Sequence, residues 1–279
     1  MAKRLLAFLF LGAIFTGCSP FINYDSLYEK GKYLEAYSSL DAVENKASSD
    51  YELRLLKVVL RLSLEGEMEF ITNRLVTVIS NIKSVSLSNY ILFGNAFLYY
   101  FTAEKRSDLK YYQNVTNLLV NLPGSLPPEF VPLAYKIRAI SKSKLGNFQS
   151  AIGDYENSYS LLPLIENYYF IAECYYALDQ NDKCIEYLDR VISQANDPAL
   201  VSLALYRKGE ITYDLNDYET ALKYYLEAVK YHCNNSEYNL KIAKCFQKMG
   251  YQKIFTKFLK ICLRIDENNA NAFYLMNVN

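Results

Sequence analysis

Three stretches of this chain repeat one spacing: a turn residue, an aromatic two positions on, and an alanine three further. They are "EKGKYLEAYSSLDAV" (29–43), "KLGNFQSAIGDYENSYSLLP" (144–163) and "DLNDYETALKYYLEAVKY" (214–231). The triplets are Gly31/Tyr33/Ala36, Gly146/Phe148/Ala151 and Asn216/Tyr218/Ala221. A large residue follows four after each alanine (Leu40, Tyr155, Tyr225), and a small or medium one three later (Val43, Ser158, Ala228). Residues at i, i+4 and i+7 share one face of an α-helix, so each stretch predicts a turn followed by a helix with one packed side. Glycine, asparagine or aspartate at the turn accepts the left-handed backbone that ends the preceding helix.

The segments before these turns agree. Tyr135, Tyr168 and Leu205 begin a helical pattern, with Ala139, Ala172 and Gly209 in a small position four later. A unit around Asp179 puts Cys184 in the alanine slot, and one around Gly250 puts Phe255 there. Tyr is abundant (27), Gly (10) and Pro (7) are scarce, and Asn-Gly and Asp-Gly turns do not occur, so hairpin punctuation for strands is missing. The pattern resembles the tetratricopeptide repeat, a helix–turn–helix unit of about 34 residues. The resemblance implies an all-α fold, a right-handed α-solenoid of stacked helical hairpins with a concave side.

Turns fall near 31, 66, 104, 146, 179, 216 and 250, which predicts seven hairpins and a terminal helix from about Ala270. Residues 23–122 read as degenerate hairpins, 128–264 as the regular array and 265–279 as a capping helix. "NLPGSLPPE" (121–129) is a long connector, and Pro127-Pro128 and Asp197-Pro198 are helix-start signals.

The first seventeen residues are of another kind. Lys3 and Arg4 precede an uncharged apolar run, Leu5 to Phe15, too short to span a bilayer and of the size of a secretory signal. The following Thr16-Gly17-Cys18 resembles the lipobox of bacterial lipoproteins, although Phe15 stands where leucine is commonest. That resemblance implies cleavage after residue 17, acylation of Cys18 and a short tether over 18–22. The alternatives are a signal cleaved elsewhere and an uncleaved anchor. The expected location is a bacterial envelope membrane, with the periplasmic face of the outer membrane favoured.

Without residues 1–17 the chain has 28 basic against 30 acidic residues, so no basic surplus argues for nucleic-acid binding. His232 is the only histidine, and its neighbour Cys233 points elsewhere on a helix, so neither a metal site nor a nucleophile–base pair is expected, and no cofactor. Cysteines 174, 184, 233, 245 and 262 have no C-x-x-C spacing. Most read as core thiols, and Cys174 with Cys184, on the two helices of one hairpin, is the pair best placed for a disulfide in an exported chain.

In the tetratricopeptide family the first helix of each repeat lines the concave side. Carried over, the resemblance implies a peptide groove formed by Lys136, Ile140, Ser143, Tyr169, Glu173, Tyr176, Tyr206, Glu210, Tyr213, Asp214, Leu240, Lys244 and Lys248. Tyrosine offers apolar area with a hydroxyl, which suits peptide recognition, but it also fills space wherever this chain forms a helix. Ile140, Glu173 and Glu210 replace the asparagine with which some family members clamp a carboxylate end. The expected function is a non-catalytic, lipid-anchored scaffold for a protein or peptide partner. The plan is similar to the lipoprotein subunit of the outer-membrane β-barrel assembly machinery, and a helical enzyme acting on the cell wall is the alternative from another class.

Overall fold

A computed structural model describes residues 21–43, 46, 48–65, 68–82, 88–121, 126 and 128–278. Of the tether expected over 18–22, Phe21 is buried under Arg54 and Ile22 begins the first helix, so the fold starts before that tether was expected to end. Residues 1–20, with the signal and Cys18 expected there, lie outside the described residues. Among these there are fifteen α-helices and no strand: α1 (Ile22–Glu29), α2 (Tyr33–Ser39), α3 (Ser49–Glu65), α4 (Met68–Asn81), α5 (Ser88–Arg106), α6 (Leu109–Leu118), α7 (Val131–Lys144), α8 (Phe148–Leu161), α9 (Glu166–Ala177), α10 (Asn181–Gln194), α11 (Pro198–Asp214), α12 (Tyr218–Tyr231), α13 (Ser236–Lys248), α14 (Gln252–Ile265) and α15 (Ala270–Val278). None of the described helices is long and apolar enough to cross a membrane. The chain divides into two compact units at Leu98/Tyr99, a point inside α5.

In residues 99–279, α6 to α15 each pack on the next helix in sequence, the sequential contact of a helical solenoid. The hairpin turns explain why the chain reverses where it does. Gly146 and Gly250 have φ of +80° and +82°, and Asp179 and Asn216 take the same left-handed region at +57° and +63°. After each, a backbone N–H reaches five residues back: Asn147 to Lys142, Gln180 to Tyr175, Asp217 to Thr212 and Tyr251 to Phe246, at 2.8–3.0 Å. That bond satisfies a carbonyl the ending helix leaves open. Gly31 does likewise in the first unit, with Lys32 N–H on the Leu27 carbonyl.

The turn expected near 104 lies at Ser107-Asp108 instead. Ala103 to Arg106 are good helix formers that prolong α5, and the Asp108 carboxylate caps α6 by accepting from the Lys110 N–H at 2.9 Å.

In α8, α10, α12 and α14 the packed side is the one the spacing marks. Ala151, Cys184, Ala221 and Phe255 in the alanine slot are at most 1% exposed, as are Leu188, Tyr225 and Leu259 four later. In α11 the small slot is Gly209, and a side chain there would put its Cβ 2.6 Å from the Tyr225 ring. A buried polar cluster ties the array to the segment before it. Arg138 makes a two-pronged pair with Asp154 (Nε–Oδ2 2.8 Å, Nη2–Oδ1 2.6 Å) and donates to the Leu119 carbonyl at 2.6 Å. Lys142 adds a contact to the same carboxylate at 2.7 Å.

In the first unit α1, α2, α3 and α4 also pack in order. Arg54 grips Asp25 with two bonds (2.9 and 3.0 Å) and lies over the Phe21 ring, and Gly94 permits close approach of Ile79.

Candidate functional site

A cavity of about 510 Å³ opens between α5, α7, α8 and α9 of the second unit. Its walls are aromatic: Tyr100 from α5, Phe148 and Tyr155 from α8, and Tyr169, Phe170 and Tyr176 from α9. Ile140 adds an aliphatic surface, while Glu104, Lys144 and Glu173 bring charge to the walls. Tyr155 stacks on Phe170 with ring centroids 5.5 Å apart, and Tyr169 meets Phe170 edge-on. Ser143 Oγ and Cys174 Sγ lie 3.2 Å apart beside them. Glu104 is held in place by the Tyr112 hydroxyl, which donates to it at 2.6 Å.

The environment keeps these hydroxyls protonated. Burial pushes Tyr100 up to about 12, with the Glu104 charge adding to it. Burial also raises Tyr169 and Tyr155 above the ordinary range, and Glu173 contributes to the rise at Tyr169. At neutral pH the cavity therefore presents neutral phenols that can donate, on a largely apolar lining.

From Glu173 a ladder of ion pairs runs across the neighbouring first helices. Arg207 donates to both Glu173 oxygens (2.7 and 2.6 Å) and to Glu210 at 2.5 Å, and Lys241 reaches Glu210 at 2.6 Å. Arg207 also covers the Tyr176 ring at 4.4 Å. Burial alone would lower the Arg207 guanidinium, but the bonds and charge of Glu173 and Glu210 outweigh it and hold it above its ordinary value. One ladder thus joins α9, α11 and α13 and neutralises the acids along it.

The residues expected to form a groove fare differently. Tyr169, Glu173 and Tyr176 line the cavity with Ile140 and Ser143. Tyr206 and Glu210 belong to the ladder; the Tyr206 hydroxyl donates to Glu210 at 3.2 Å, and its ring stacks on Tyr238 at 4.8 Å. Asp214 is exposed and accepts from the Tyr176 hydroxyl at 3.3 Å. Lys136 is engaged by Glu166 and lies over Phe170. Tyr213 packs edge-on against Tyr218. Lys244 and Lys248 sit on α13 away from the cavity lining. Leu240 is fully buried and is no part of an accessible face: α13 turns that position into the core formed with Phe255 and Leu259. Cys174 and Cys184 are both free and buried. Cys174 faces Ser143 of α7, whereas Cys184 fills its alanine slot. His232 and Cys233 are exposed after the end of α12.

Arg207, Lys241, Tyr100 and Glu104 were not foreseen. Arg207 and Lys241 stand one position after Tyr206 and Leu240, where a side chain crosses to the neighbouring repeat. Tyr100 and Glu104 come from the irregular stretch before the proline-rich connector. The signal in each case was a charged or tyrosine residue beside the expected face, too common in this chain to single out.

Residues 165–198 and 203–231 match the tetratricopeptide repeat family. The match covers two successive hairpins. They correspond to α9–α10 and α11–α12, the pair that carries most of the ladder. A tetratricopeptide repeat protein from Parabacteroides merdae has the same fold over 92% of this chain and 96% of its own, with a TM-score of 0.52 and 13% identity. The Cut9–Hcn1 hetero-tetramer of APC/C aligns over 90% of this chain and 53% of its own, at a TM-score of 0.52 and 14% identity. A MamA double mutant covers 63% of this chain and 97% of its own, at 0.50 and 15%. These likenesses establish the fold of the repeats. No curated protein matches the chain in sequence.

Proposed function

We propose that the repeats between α7 and α14 form an adaptor that holds a peptide segment of a protein partner along their first helices. An apolar or aromatic side chain of that segment would enter the cavity between α5, α7, α8 and α9. The observation that carries this reading is the cavity itself: about 510 Å³ is ample for a bulky side chain and its neighbours, and lies in the usual range of ligand pockets. Its aromatic walls supply contact area, its phenols supply orientation, and the ladder beside it keeps the acids from repelling one another. In the same reading Cys18 is acylated, and the adaptor works at an envelope membrane.

The test places a photo-crosslinking residue at Tyr176 and, as a control, at exposed Glu227 on α12. Partner capture from Tyr176, lost in a Tyr169→Ala/Phe170→Ala variant that keeps its helicity, supports the reading. Equal capture from both positions, or capture indifferent to the alanine changes, refutes it. Acylation is tested separately by metabolic lipid labelling, which a Cys18→Ala chain should abolish. Copurification with a barrel-assembly protein would mark the narrower role in outer-membrane protein assembly.

A further inference from the structure

The chain is neutral as a whole, yet its charge is unevenly spread. Residues 236–278 hold seven lysines and arginines against three acids. Four of the seven, Lys253, Lys257, Lys260 and Arg264, recur at i, i+4, i+7 and i+11 on α14 and so share one side of it. All four are exposed, and none makes an ion pair or side-chain hydrogen bond among the described residues. The opposite side, Phe255, Leu259 and Cys262, is at most 1% exposed and is locked into the core of the last hairpin. The cations therefore stay turned to solvent.

Counted from the turn, the same four positions are Asp182, Glu186, Asp189 and Ser193 in α10, and Glu219, Lys223, Leu226 and Lys230 in α12. In α10, Glu186 and Asp189 are each answered by a cation at 2.6 Å (Arg190 and Lys208). A stripe of one sign without partners belongs to α14 and is not a habit of the repeats. It also costs helix stability, because like charges four apart repel.

The helix packed on α14 supplies an independent observation. Ala270 to Val278 contains no charged residue, and a helix apolar on most sides is ordinarily covered. Ala272, Leu275 and Met276 pack on the core, while Phe273 and Tyr274 remain 60% and 65% exposed.

We infer that α14 and α15 rest on an anionic bilayer surface. Lys253, Lys257, Lys260 and Arg264 meet the lipid phosphates, and Phe273 and Tyr274 enter the interfacial layer. A cationic stripe by itself would suit a nucleic acid or an acidic protein as well. The uncharged aromatic helix beside it decides for the bilayer, whose interface offers negative charge and an apolar phase side by side and is where aromatic rings settle. A duplex presents phosphates outward and keeps its apolar base faces stacked. The contact requires neither acylation of Cys18 nor an occupied cavity.

The experiment uses the chain from Ser19 onward, which contains every described residue, in flotation with vesicles of phosphatidylcholine alone or with about one-third phosphatidylglycerol. Binding is expected only to the anionic vesicles, and it should weaken steeply as salt rises from about 0.1 M to 0.5 M. Each cation at an anionic surface contributes about fivefold, so Lys253→Gln/Lys257→Gln/Lys260→Gln/Arg264→Gln should lower partitioning at least about a hundredfold. Glutamine is a good helix former at exposed sites, and unchanged circular dichroism would show the fold intact. Phe273→Ser/Tyr274→Ser should cost several-fold, whereas Tyr169→Ala/Phe170→Ala should bind vesicles as before. Equal binding to both vesicle types, full binding by the four-glutamine chain, or tighter binding to a DNA duplex or a polyglutamate chain than to the vesicles would overturn the inference.

Discussion

Replacing Asp154 by alanine removes a carboxylate that two cations share. Arg138 and Asp154 are 8% and 4% exposed, so water cannot replace the lost partner. Three contacts vanish together: Nε–Oδ2 at 2.8 Å, Nη2–Oδ1 at 2.6 Å and Lys142 Nζ–Oδ2 at 2.7 Å. Only the Leu119 and Val120 carbonyls are left to the guanidinium; neutral carbonyls neither balance its charge nor hold it in place, and Lys142 one turn away now repels it. Breaking a buried pair from one side costs about 3–5 kcal/mol. In a unit of this size each kcal/mol moves the midpoint by about 2–4 °C, so calorimetry should record a fall of about 10 °C. The loss should also loosen the hold of Arg138 on the end of α6, and protease cleavage should increase between Leu119 and Phe130. An Arg138→Met/Lys142→Met/Asp154→Leu chain, with the charges removed together, should recover most of the midpoint. A fall below about 2 °C for Asp154→Ala would refute the claim that this cluster fastens α6 to the array.

Three further outcomes are expected. Gly209→Ala gains about 1 kcal/mol of helix propensity but drives a Cβ into the fully buried Tyr225 ring at 2.6 Å, so chemical denaturation should show a net loss of about 1–2 kcal/mol; a more stable variant would contradict the close approach. In a Cys18→Ser chain, Ellman's reagent at mildly alkaline pH should find one fast thiol, Cys233, because Cys174, Cys184, Cys245 and Cys262 are buried and burial pushes Cys184 and Cys245 to about 12 and Cys262 to about 11; two fast thiols would count against that packing. The same burial sets an alkaline limit. Cys184, Tyr155, Tyr206 and Tyr225 have folded values raised above their ordinary 9.0 and 10.0, so the stability they contribute is complete below pH 9 and is lost as pH climbs beyond 9 and 10; stability rising across that range would contradict the assignment.

Much of the fold was legible in particular residues. Gly146, Asp179, Asn216 and Gly250 marked the reversals because few side chains tolerate a left-handed backbone, and the alanine slots marked where helices approach. The turn expected near Glu104 was misplaced by about one helical turn, since nothing local stops a run of helix formers before Ser107. The candidate site was legible only in part. Tyr169, Glu173 and Tyr176 fell on the expected face, but Leu240, at an equivalent position, is buried because the last hairpin closes its core over it.

Helix existence, the turns at Gly146, Asp179, Asn216 and Gly250, and the packed faces of the helices that follow them came from the sequence alone, because each depends on the backbone preference of one residue or on a period of a few residues. The cavity, the ladder from Glu173 to Lys241 and the cluster at Asp154 were decided by tertiary structure. Each joins side chains from different helices, as far apart in sequence as Tyr100 and Tyr176, and which of many tyrosines, acids and lysines meet depends on how neighbouring hairpins rotate against one another. The cationic stripe on α14 lies between the two: its spacing is local, but only the buried opposite face fixes it toward solvent.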